Sequence, residues 1–365
     1  MATHRPSTDM PTSDLFPLRQ TLQRAAQRWP DAPALSNGQQ VLSYKVLADL
    51  VARRADAWRA AGLVTGDRIG IAASRSIETI VSIVAAVESG LAYVPLDLGY
   101  PTDRLQAMLD DAQVRAVVGE PEALESLHAR LDALPSLASP RPAGPPPHAA
   151  NGDLVYVLFT SGSTGRPKGV AMGLAPLAHL TGWHVAHARL GQPARTLQFA
   201  PLSFDVHFQE IFSTLATGGT LVLPEDADRR DPARLRALLA LEGVQRLYLP
   251  YVALQMLAQA DAEAHTRHGA LPLSLRDVVS AGEQLQVTPD IRALFGRLNG
   301  AALHNHYGPT ETHVVTAFEL DGDATDWPQI PAIGSALPHV RVWLRPVQDD
   351  DAAPAQAAAS APQGQ

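Results

Sequence analysis

The pattern of apolar and polar positions alternates between two kinds of segment along most of the chain. Apolar residues recur every three to four positions in several stretches, which predicts helices at 16–30, 45–63, 76–90 and 101–112. Short apolar runs between them predict strands at 39–44, 67–73, 92–97 and 114–119. Ser76 and Gly90 bound the third helix, as expected for an N-cap and a helix end. Strands alternating with helices of this length predict βαβ units around a largely parallel sheet.

A second alternation follows a stretch rich in proline and alanine. Strands are predicted at 154–159, 220–224, 246–250, 276–282 and 304–308, with a helix at 232–243. We therefore expect an α/β protein of two βαβ-type halves, each a sheet flanked by helices. The predicted divisions are a disordered leader at 1–15, a first half at 16–134, a connector at 135–151, a second half at 152–348 and a disordered tail at 349–365.

The composition excludes several classes of function. Of 365 residues, 46% are apolar and 18% are charged, which is ordinary for a protein with a substantial core. The net charge of −8 argues against nucleic-acid and membrane-surface partners. The chain has no cysteine, which excludes disulfides and thiolate chemistry and suits a reducing cytoplasm. With no signal-peptide pattern and charges at Glu78 and Glu88 in the longest apolar run, we expect a soluble, cytoplasmic protein.

One polar segment, LFTSGSTGRPKGV at 158–170, directly follows a predicted buried strand. This is a common position for a phosphate site in α/β proteins, because glycines let the backbone approach, hydroxyls and N–H groups donate, and a lysine such as Lys168 supplies charge. Lys168 lies between Pro167 and Gly169, so the segment is not a Walker A loop. Taken alone, the same composition also suits a surface turn.

The segment LSFDVHFQEIF at 202–212 has helical spacing. Its apolar stripe consists of Phe204, Phe208, Ile211 and Phe212. Asp205 and Gln209 stand at i and i+4 and share another face. Asp205 suits either a helix cap or a carboxylate that pairs with a substrate ammonium.

Two further turns contain glycine, SAGEQL at 280–285 and NHYGPTET at 305–312. In the second, Tyr307 could stack on a base, and Thr310 and Glu311 could face phosphate or Mg²⁺; a plain Gly-Pro turn is the alternative. The spacing of His304, His306 and His313 would also allow a transition-metal site. We favour packing or pocket roles for these histidines, because no H-E-x-x-H motif accompanies them.

Taken in this order, the segments resemble an adenylation domain of a nonribosomal peptide synthetase. That family belongs to the adenylate-forming superfamily, which also includes acyl-CoA ligases and luciferases. The matching motifs are LSYKVLAD, SGLAYVPLDLGYP, LFTSGSTGRPKGV, LSFDVHFQEIF, SAGEQL and HNHYGPTET, and the resemblance runs from about residue 16 to about 345. It implies a layered α/β/α/β/α fold with a small distorted β-barrel region. It also implies activation of an amino acid with ATP and Mg²⁺ for transfer to a peptidyl carrier protein.

The resemblance assigns roles to individual positions. The loop over the ATP phosphates would consist of Thr160, Ser161, Gly162, Ser163, Thr164, Gly165 and Lys168. The adenine side would consist of Ala281, Gly282, Glu283, Asn305, Tyr307 and Gly308. Lys168, Thr310 and Glu311 would form the catalytic group, with Thr310 near the α-phosphate and Glu311 as the Mg²⁺ ligand.

The resemblance also implies a substrate pocket. Asp205 matches the aspartate that pairs with the substrate α-amino group. The pocket for the side chain would consist of Val206, Gln209, Val252, Val279, Ala281, His306, Val314 and Val315. Charged substrates would find no partner among these walls, which disfavours them. Gln209 and His306 among valines resemble pockets that select proline, so L-proline is the expected substrate and another small apolar amino acid the next candidate.

The resemblance has limits. The family continues with a ribose-binding aspartate, a hinge and a small C-terminal domain that carries a catalytic lysine. This sequence ends at Gln365, and its lysines are Lys45 and Lys168. We therefore expect a large N-terminal subdomain without that small domain, with weak turnover. The alternatives are an acyl- or aryl-CoA ligase, against which Asp205 argues, and a non-catalytic module that binds ATP or an amino acid.

Overall fold

The structure is a computed structural model, and it describes residues 15–131, 134–142, 153–160, 167–266 and 271–344. Its helices are α1 (Thr21–Arg28), α2 (Tyr44–Ala60), α3 (Ile77–Ser89), α4 (Thr102–Asp111), α5 (Pro121–His128), α6 (Leu174–Ala186), α7 (Val206–Phe208), α8 (Thr214–Ala216), α9 (Asp226–Arg230), α10 (Pro232–Leu241), α11 (Tyr251–His265) and α12 (Pro289–Arg297). A π-helical turn (Gln209–Ser213) joins α7 to α8, and we call the continuous segment the 206–216 helix. Short 3-10 helices lie at Leu18–Gln20 and Ala324–Asp326.

The strands are mostly short. They are β1 (Pro33–Ser36), β2 (Val41–Ser43), β3 (Arg68–Ala72), β4 (Ala92–Leu96), β5 (Ala116–Val118), β6 (Leu154–Thr160), β7 (Lys168–Gly173), β8 (Arg195–Leu197), β9 (Thr220–Val222), β10 (Arg246–Leu249), β11 (Asp277–Ser280), β12 (Ala302–Tyr307), β13 (Thr316–Leu320) and β14 (Ser335–Ala336). Most of them fall on the apolar runs that predicted strands, and the additions are β1, β7, β8, β13 and β14.

The described strands form two sheets. The five-stranded sheet has the order β5-β3-β4-β6-β7, with an antiparallel pair at the β6–β7 edge. The nine-stranded sheet has the order β14-β13-β12-β11-β10-β8-β9-β1-β2 and is parallel from β1 to β12, with antiparallel strands at both ends. The predicted fold class, parallel-rich sheets flanked by helices, is therefore confirmed. The described strands form no closed barrel, so the β-barrel region implied by the resemblance is not found in this part of the chain.

The buried apolar residues form three main cores, which separate the layers. The first core lies between the two sheets, where α1, α2, α3, α6 and the 206–216 helix pack. A second core joins the nine-stranded sheet to α10, α11 and α12, and a third joins the five-stranded sheet to α4 and α5. Helices and sheets thus alternate in five layers.

Sheet membership crosses the predicted division of the chain. Strands β1 and β2, from the first predicted half, pair into the nine-stranded sheet through β9. Strands β6 and β7, from the second predicted half, complete the five-stranded sheet. An apolar run predicts a strand but not its partner, because pairing is decided by packing in three dimensions. The leader, much of the connector and the tail lie outside the described residues, so these predicted divisions stay predictions.

Local capping explains where α3 begins and ends. The Ser76 hydroxyl accepts a hydrogen bond from the Thr79 N–H at 3.2 Å, which satisfies one free donor of the first turn. Gly90 has a φ of 72°, the left-handed conformation that glycine adopts at low cost at a helix end. Among the described helices, none has the length and apolar character needed to cross a bilayer.

Candidate active site

The parallel strands of the nine-stranded sheet end together at one edge. Leu249, Ser280 and Asn305 lie in register on β10, β11 and β12. The turns at 281–283 and 308–312 therefore begin beside each other. In open α/β sheets, ligands bind at this carboxyl edge.

Side-chain alternation in these strands separates two faces. Leu247, Val278 and Leu303 belong to the core under α10, α11 and α12. The next residues, Tyr248 and Val279, point to the opposite face, where Val206 packs against them. The carboxyl edge and the inner face of the sheet therefore meet at the start of the 206–216 helix.

Asp205 precedes this helix and is half-buried. Its backbone has helical angles (φ −58°, ψ −28°), and its side chain makes no capping hydrogen bond. Burial raises the pKa of Tyr156, and the negative charge of the nearby Asp205 carboxylate adds to that rise. Burial lowers the pKa of His313, and the Asp205 charge opposes this effect without cancelling it. The interpretation of the Asp205 side chain as a helix cap is therefore wrong, and within the described part of the chain no side chain pairs with its carboxylate.

Gln209 lies at the start of the π-helical turn and is buried. Its side-chain nitrogen lies 3.1 Å from Nε2 of His184 and 3.5 Å from Nδ1 of His306. Burial lowers the pKa of both histidines well below the usual value, so both are neutral at neutral pH. π-Helical turns are frequent at functional sites. The result is an uncharged polar cluster under the sheet edge.

An apolar wall surrounds this cluster. Val206 and Val279 pack with Leu190 and Tyr248, and Val314 packs with Leu180 and Leu337. Trp183 contacts both groups, and its ring centroid lies 5.4 Å from that of His306.

Three predicted pocket residues, Ala281, Val315 and Val252, belong to neither of these packed groups. Ala281 and Val315 are half-buried, and the Val315 N–H donates to the Tyr307 carbonyl at 2.8 Å. Val252 is 53% exposed, and its backbone N–H donates to the Glu283 carboxylate at 3.1 Å. The packed group thus contains Val206, Gln209, Val279, His306 and Val314, with Val252 at the surface.

The predicted phosphate loop begins and ends on paired strands. Thr160 on β6 and Lys168 on β7 are in register, and the Thr160 hydroxyl lies 3.5 Å from the Lys168 carbonyl. Lys168 is exposed. Ser161, Gly162, Ser163, Thr164 and Gly165 lie outside the described residues.

The predicted adenine side lies open at the sheet edge. Gly282 has a φ of 87°, and among the described residues other than its chain neighbours no heavy atom lies within 4 Å of the point that a Cβ would occupy. Glu283 is exposed, and the Tyr307 ring is 49% exposed. Asn305 is buried and donates from Nδ2 to the Ala332 carbonyl at 2.9 Å.

The turn at 308–312 is held against Asp205 by one histidine. Nδ1 of His313 accepts the Val314 N–H at 3.0 Å, so the proton of the neutral ring lies on Nε2, which donates to the Asp205 carbonyl at 3.1 Å. A Cβ on Gly308 would lie 1.7 Å from the His313 carbonyl oxygen, so only glycine fits this close approach. Thr310 is half-buried and Glu311 is exposed on the same turn.

The histidines suggested for a metal do not converge on one point. His306 faces Gln209 and His313 faces Asp205, while His304 lies near Glu319 and His187. Ligand atoms of these last three residues lie within 4.8 Å of one another, the one such group in the described part of the chain.

In the His187 group, imidazole nitrogens face carboxylates. Nδ1 of His187 accepts two backbone N–H groups, from Arg189 and Leu190, which leaves the proton on the Nε2 that faces Glu319. His304 also faces Asp277, whose pKa is lowered to about 2 by His304, Arg246 and Arg189 against the opposing effect of burial. We interpret the group as a network of polar contacts that packs against Trp183 through the His187 ring, with the two ring centroids 5.4 Å apart.

Several residues of the site were missed in the sequence. Trp183 and His184 lie on α6, Tyr248 on β10 and Tyr156 on β6, outside the segments that carry recognisable motifs. The buried hydroxyl of Tyr156 has no hydrogen-bond partner among the described residues. The available clue for Trp183 and His184 was a pair of adjacent aromatic rings in a segment that is otherwise apolar except for His179, Thr181 and Gly182.

Comparison of the sequence with known protein families and proteins shows to which family the chain belongs. The AMP-binding enzyme family matches residues 22–357. The chain belongs to this family. The match includes all the motif segments that suggested an adenylation domain, and the predicted resemblance is confirmed.

Similar proteins include three peptide synthetases. The chain is 32% identical over 348 residues to tyrocidine synthase 2 of Brevibacillus parabrevis, with 93% of the chain and 9% of that protein covered. It is 33% identical over 326 residues to enterobactin synthase component F of Escherichia coli, covering 87% and 24%. It is 34% identical over 362 residues to phosphinothricin tripeptide synthetase PhsB of Streptomyces viridochromogenes, covering 92% and 28%. The chain thus spans less than a third of the length of each relative.

Proposed function

We propose that this chain activates an amino acid with ATP, as adenylation domains of nonribosomal peptide synthetases do. A carboxylate oxygen of the amino acid would form a bond to the α-phosphorus, and the bond from that phosphorus to the bridging oxygen would break. The products are aminoacyl-AMP and pyrophosphate. Family membership and the similarity to peptide synthetases support this chemistry.

The observation that carries the proposal is the free carboxylate of Asp205. It stands at the start of a helix without capping it, and His313 ties its backbone to the turn that holds Thr310 and Glu311. A half-buried carboxylate without a cation among the described residues suits a substrate ammonium. The reacting carboxylate of the same substrate would then lie towards the turn, where the nucleotide is proposed to bind.

The pocket favours a small apolar amino acid, and L-proline best. Valine walls at 206, 279 and 314 surround the neutral cluster of Gln209 and His306. The described residues offer no charge that would pair with a lysine, arginine, aspartate or glutamate side chain in this pocket, and burying such a charge alone costs several kcal/mol.

The residues at the sheet edge fit ATP. Tyr307 presents an exposed aromatic ring, and the described residues leave open space at Gly282. Lys168, on the five-stranded sheet, is an exposed cation at the end of the predicted phosphate loop. Glu311 is an exposed carboxylate, the type of ligand with which Mg²⁺ is held beside phosphates. Bound there, Mg²⁺ would neutralise phosphate charge, while Lys168 and Thr310 would orient the phosphates.

The proposed next acceptor is the phosphopantetheine thiol of a peptidyl carrier protein. The thiol would attack the aminoacyl carbonyl and release AMP, as in the peptide synthetases that this chain resembles.

An ATP–pyrophosphate exchange panel with parallel calorimetry tests the proposal. Proline, valine, alanine, lysine and glutamate should be compared, with tetrahydrofuran-2-carboxylate as a matched proline analogue that lacks the nitrogen. We expect proline to give the highest exchange and the tightest binding, and the analogue to give neither. Preference for carboxylic acids without an amino group would favour an acyl-CoA ligase instead. Tight binding of ATP and proline without exchange would favour a binding module.

A further inference from the structure

We propose that His184 is a positioning residue that sets substrate selectivity by orienting the amide of Gln209. This inference rests on the proposed function, because it concerns the same pocket. His184 lies on α6, outside every motif segment and outside the eight positions assigned to the pocket from the sequence.

The geometry places His184 directly behind Gln209. His184 is fully buried, and its Nε2 lies 3.1 Å from the side-chain nitrogen of Gln209. His306 Nδ1 lies 3.5 Å from the same nitrogen on another side. An amide nitrogen carries two hydrogens, so, with the amide placed as it is here, one N–H can be donated to each imidazole.

Both imidazoles are suited to accept. Burial favours the neutral ring in each case, and a neutral imidazole has one nitrogen with a free lone pair. The lone pairs then lie on Nε2 of His184 and Nδ1 of His306, and the protons lie on the opposite nitrogens. Those protonated nitrogens have no hydrogen-bond partner among the described residues.

The consequence concerns the other end of the amide. With both N–H groups donated to histidines, Oε1 of Gln209 is turned away from them, and it also has no partner among the described residues. A buried acceptor without a partner is costly, and this cost opposes the present orientation of the amide. The amide therefore keeps this orientation only while both histidines accept its N–H groups. Loss of His184 frees one N–H and allows the amide to rotate within the pocket.

Packing holds His184 itself in place. Its ring centroid lies 4.9 Å from that of Trp183 and 6.0 Å from that of His306, both edge-on. Trp183 also packs on the valine walls. Helix α6 therefore contributes the far wall of the pocket, and His184 is the polar group that this wall presents to Gln209.

The test compares four variants of the whole chain. His184→Phe keeps a ring and removes the acceptor, His184→Gln places an amide oxygen at about the reach of Nε2, and His184→Asn is too short to reach. Thr181→Val is the matched control, because Thr181 is buried on the same helix and its hydroxyl donates to Leu177 within that helix. Calorimetry should measure Kd for proline, for valine and for a non-hydrolysable ATP analogue.

We expect His184→Phe and His184→Asn to raise the Kd for proline on the order of tenfold and to lower the preference for proline over valine. The Kd of the ATP analogue should change by less than about twofold, and His184→Gln should restore most of the selectivity. Thr181→Val should leave all three values unchanged. A purely structural role would instead weaken ATP and amino acid together, and the glutamine variant would not rescue selectivity.

The outcomes separate the inference from the proposed function. If the wild-type chain binds proline but the phenylalanine and asparagine variants keep its selectivity, the role of His184 is refuted and the function stands. If the wild type prefers another amino acid, the proline assignment fails, and the same comparison on the preferred amino acid decides the role of His184. If the wild type binds no amino acid, both fail. If His184→Phe does not fold, the glutamine and asparagine pair gives the same contrast.

Discussion

Glu210, the neighbour of Gln209 in the 206–216 helix, makes the stability of this protein depend on pH. Its carboxyl is completely buried and accepts hydrogen bonds from the backbone N–H groups of Phe199 and Ala200, at 2.9 and 3.0 Å, and from Nε2 of Gln198 at 2.8 Å. Burial raises the pKa of Glu210 from 4.5 to about 7, although these hydrogen bonds and the charge of Arg75 oppose the rise.

The size of the effect follows from that rise. The folded protein retains the proton of Glu210 between pH 4.5 and pH 7, while the unfolded chain has lost it. The folded state therefore binds more protons, and the free energy of unfolding decreases as pH increases, by about 3 kcal/mol in total. Most of this loss falls between pH 5 and pH 8.

Glu210→Gln removes the titration and keeps the shape. Its amide oxygen can accept the N–H groups of Phe199 and Ala200. Its nitrogen takes the place of the oxygen that accepts from Nε2 of Gln198, so that one hydrogen bond is lost, and this loss is the same at every pH. We expect the variant to gain stability relative to the wild type by about 2 to 3 kcal/mol between pH 5 and pH 8.

Urea denaturation followed by tryptophan fluorescence at both pH values measures this difference. Glu125→Gln, at an exposed position on α5, is the control and should show almost none of it. An equal difference between Glu210→Gln and the wild type at pH 5 and pH 8 would refute the reasoning, because Glu210 would then titrate alike in the folded and unfolded states.

Three further substitutions test the proposed substrate anchor, the turn beside it and a helix cap elsewhere in the fold. Asp205→Asn is expected to raise the calorimetric Kd for proline on the order of 100-fold, with affinity for an ATP analogue unchanged, because the charged partner of the substrate nitrogen is lost; unchanged proline affinity would contradict the anchor. Gly308→Ala is expected to lower the melting temperature by ~5 °C or more, since its Cβ would lie 1.7 Å from the His313 carbonyl oxygen; an unchanged melting temperature would show that the turn yields freely. Ser76→Ala is expected to cost ~1 kcal/mol in urea denaturation through loss of the Thr79 cap, and altered proline affinity would contradict a purely local role.

The fold class was predictable because the spacing of apolar residues reports secondary structure directly. Helix α3 illustrates this, since its apolar residues, Ser76 cap and Gly90 end are all local features. The partners of the strands were not predictable in the same way. Strand β1 contains proline in a four-residue run, and its place beside β9 depends on a residue nearly two hundred positions away.

The same distinction between local features and long-range contacts holds for the residues of the candidate site. Asp205, Gln209 and the turn at 308–312 were found from motifs, because their chemistry is written in contiguous residues. His184 and Trp183 were not found, because α6 carries no motif and its contact with Gln209, 25 positions further along the chain, is made only by packing. Val252 was expected in the pocket and lies at the surface, where its backbone bonds to Glu283.

The amino-acid sequence by itself determined the alternating α/β architecture, the family and the residue types that carry the proposed chemistry, because periodicity and contiguous motifs are local properties. Only the tertiary structure decided that the Asp205 carboxylate does not cap its helix, that His313 ties it to the turn beside the sheet edge, and that His184 faces Gln209. The two contacts join residues 108 and 25 positions apart in the chain, and their geometry is set by how the layers pack.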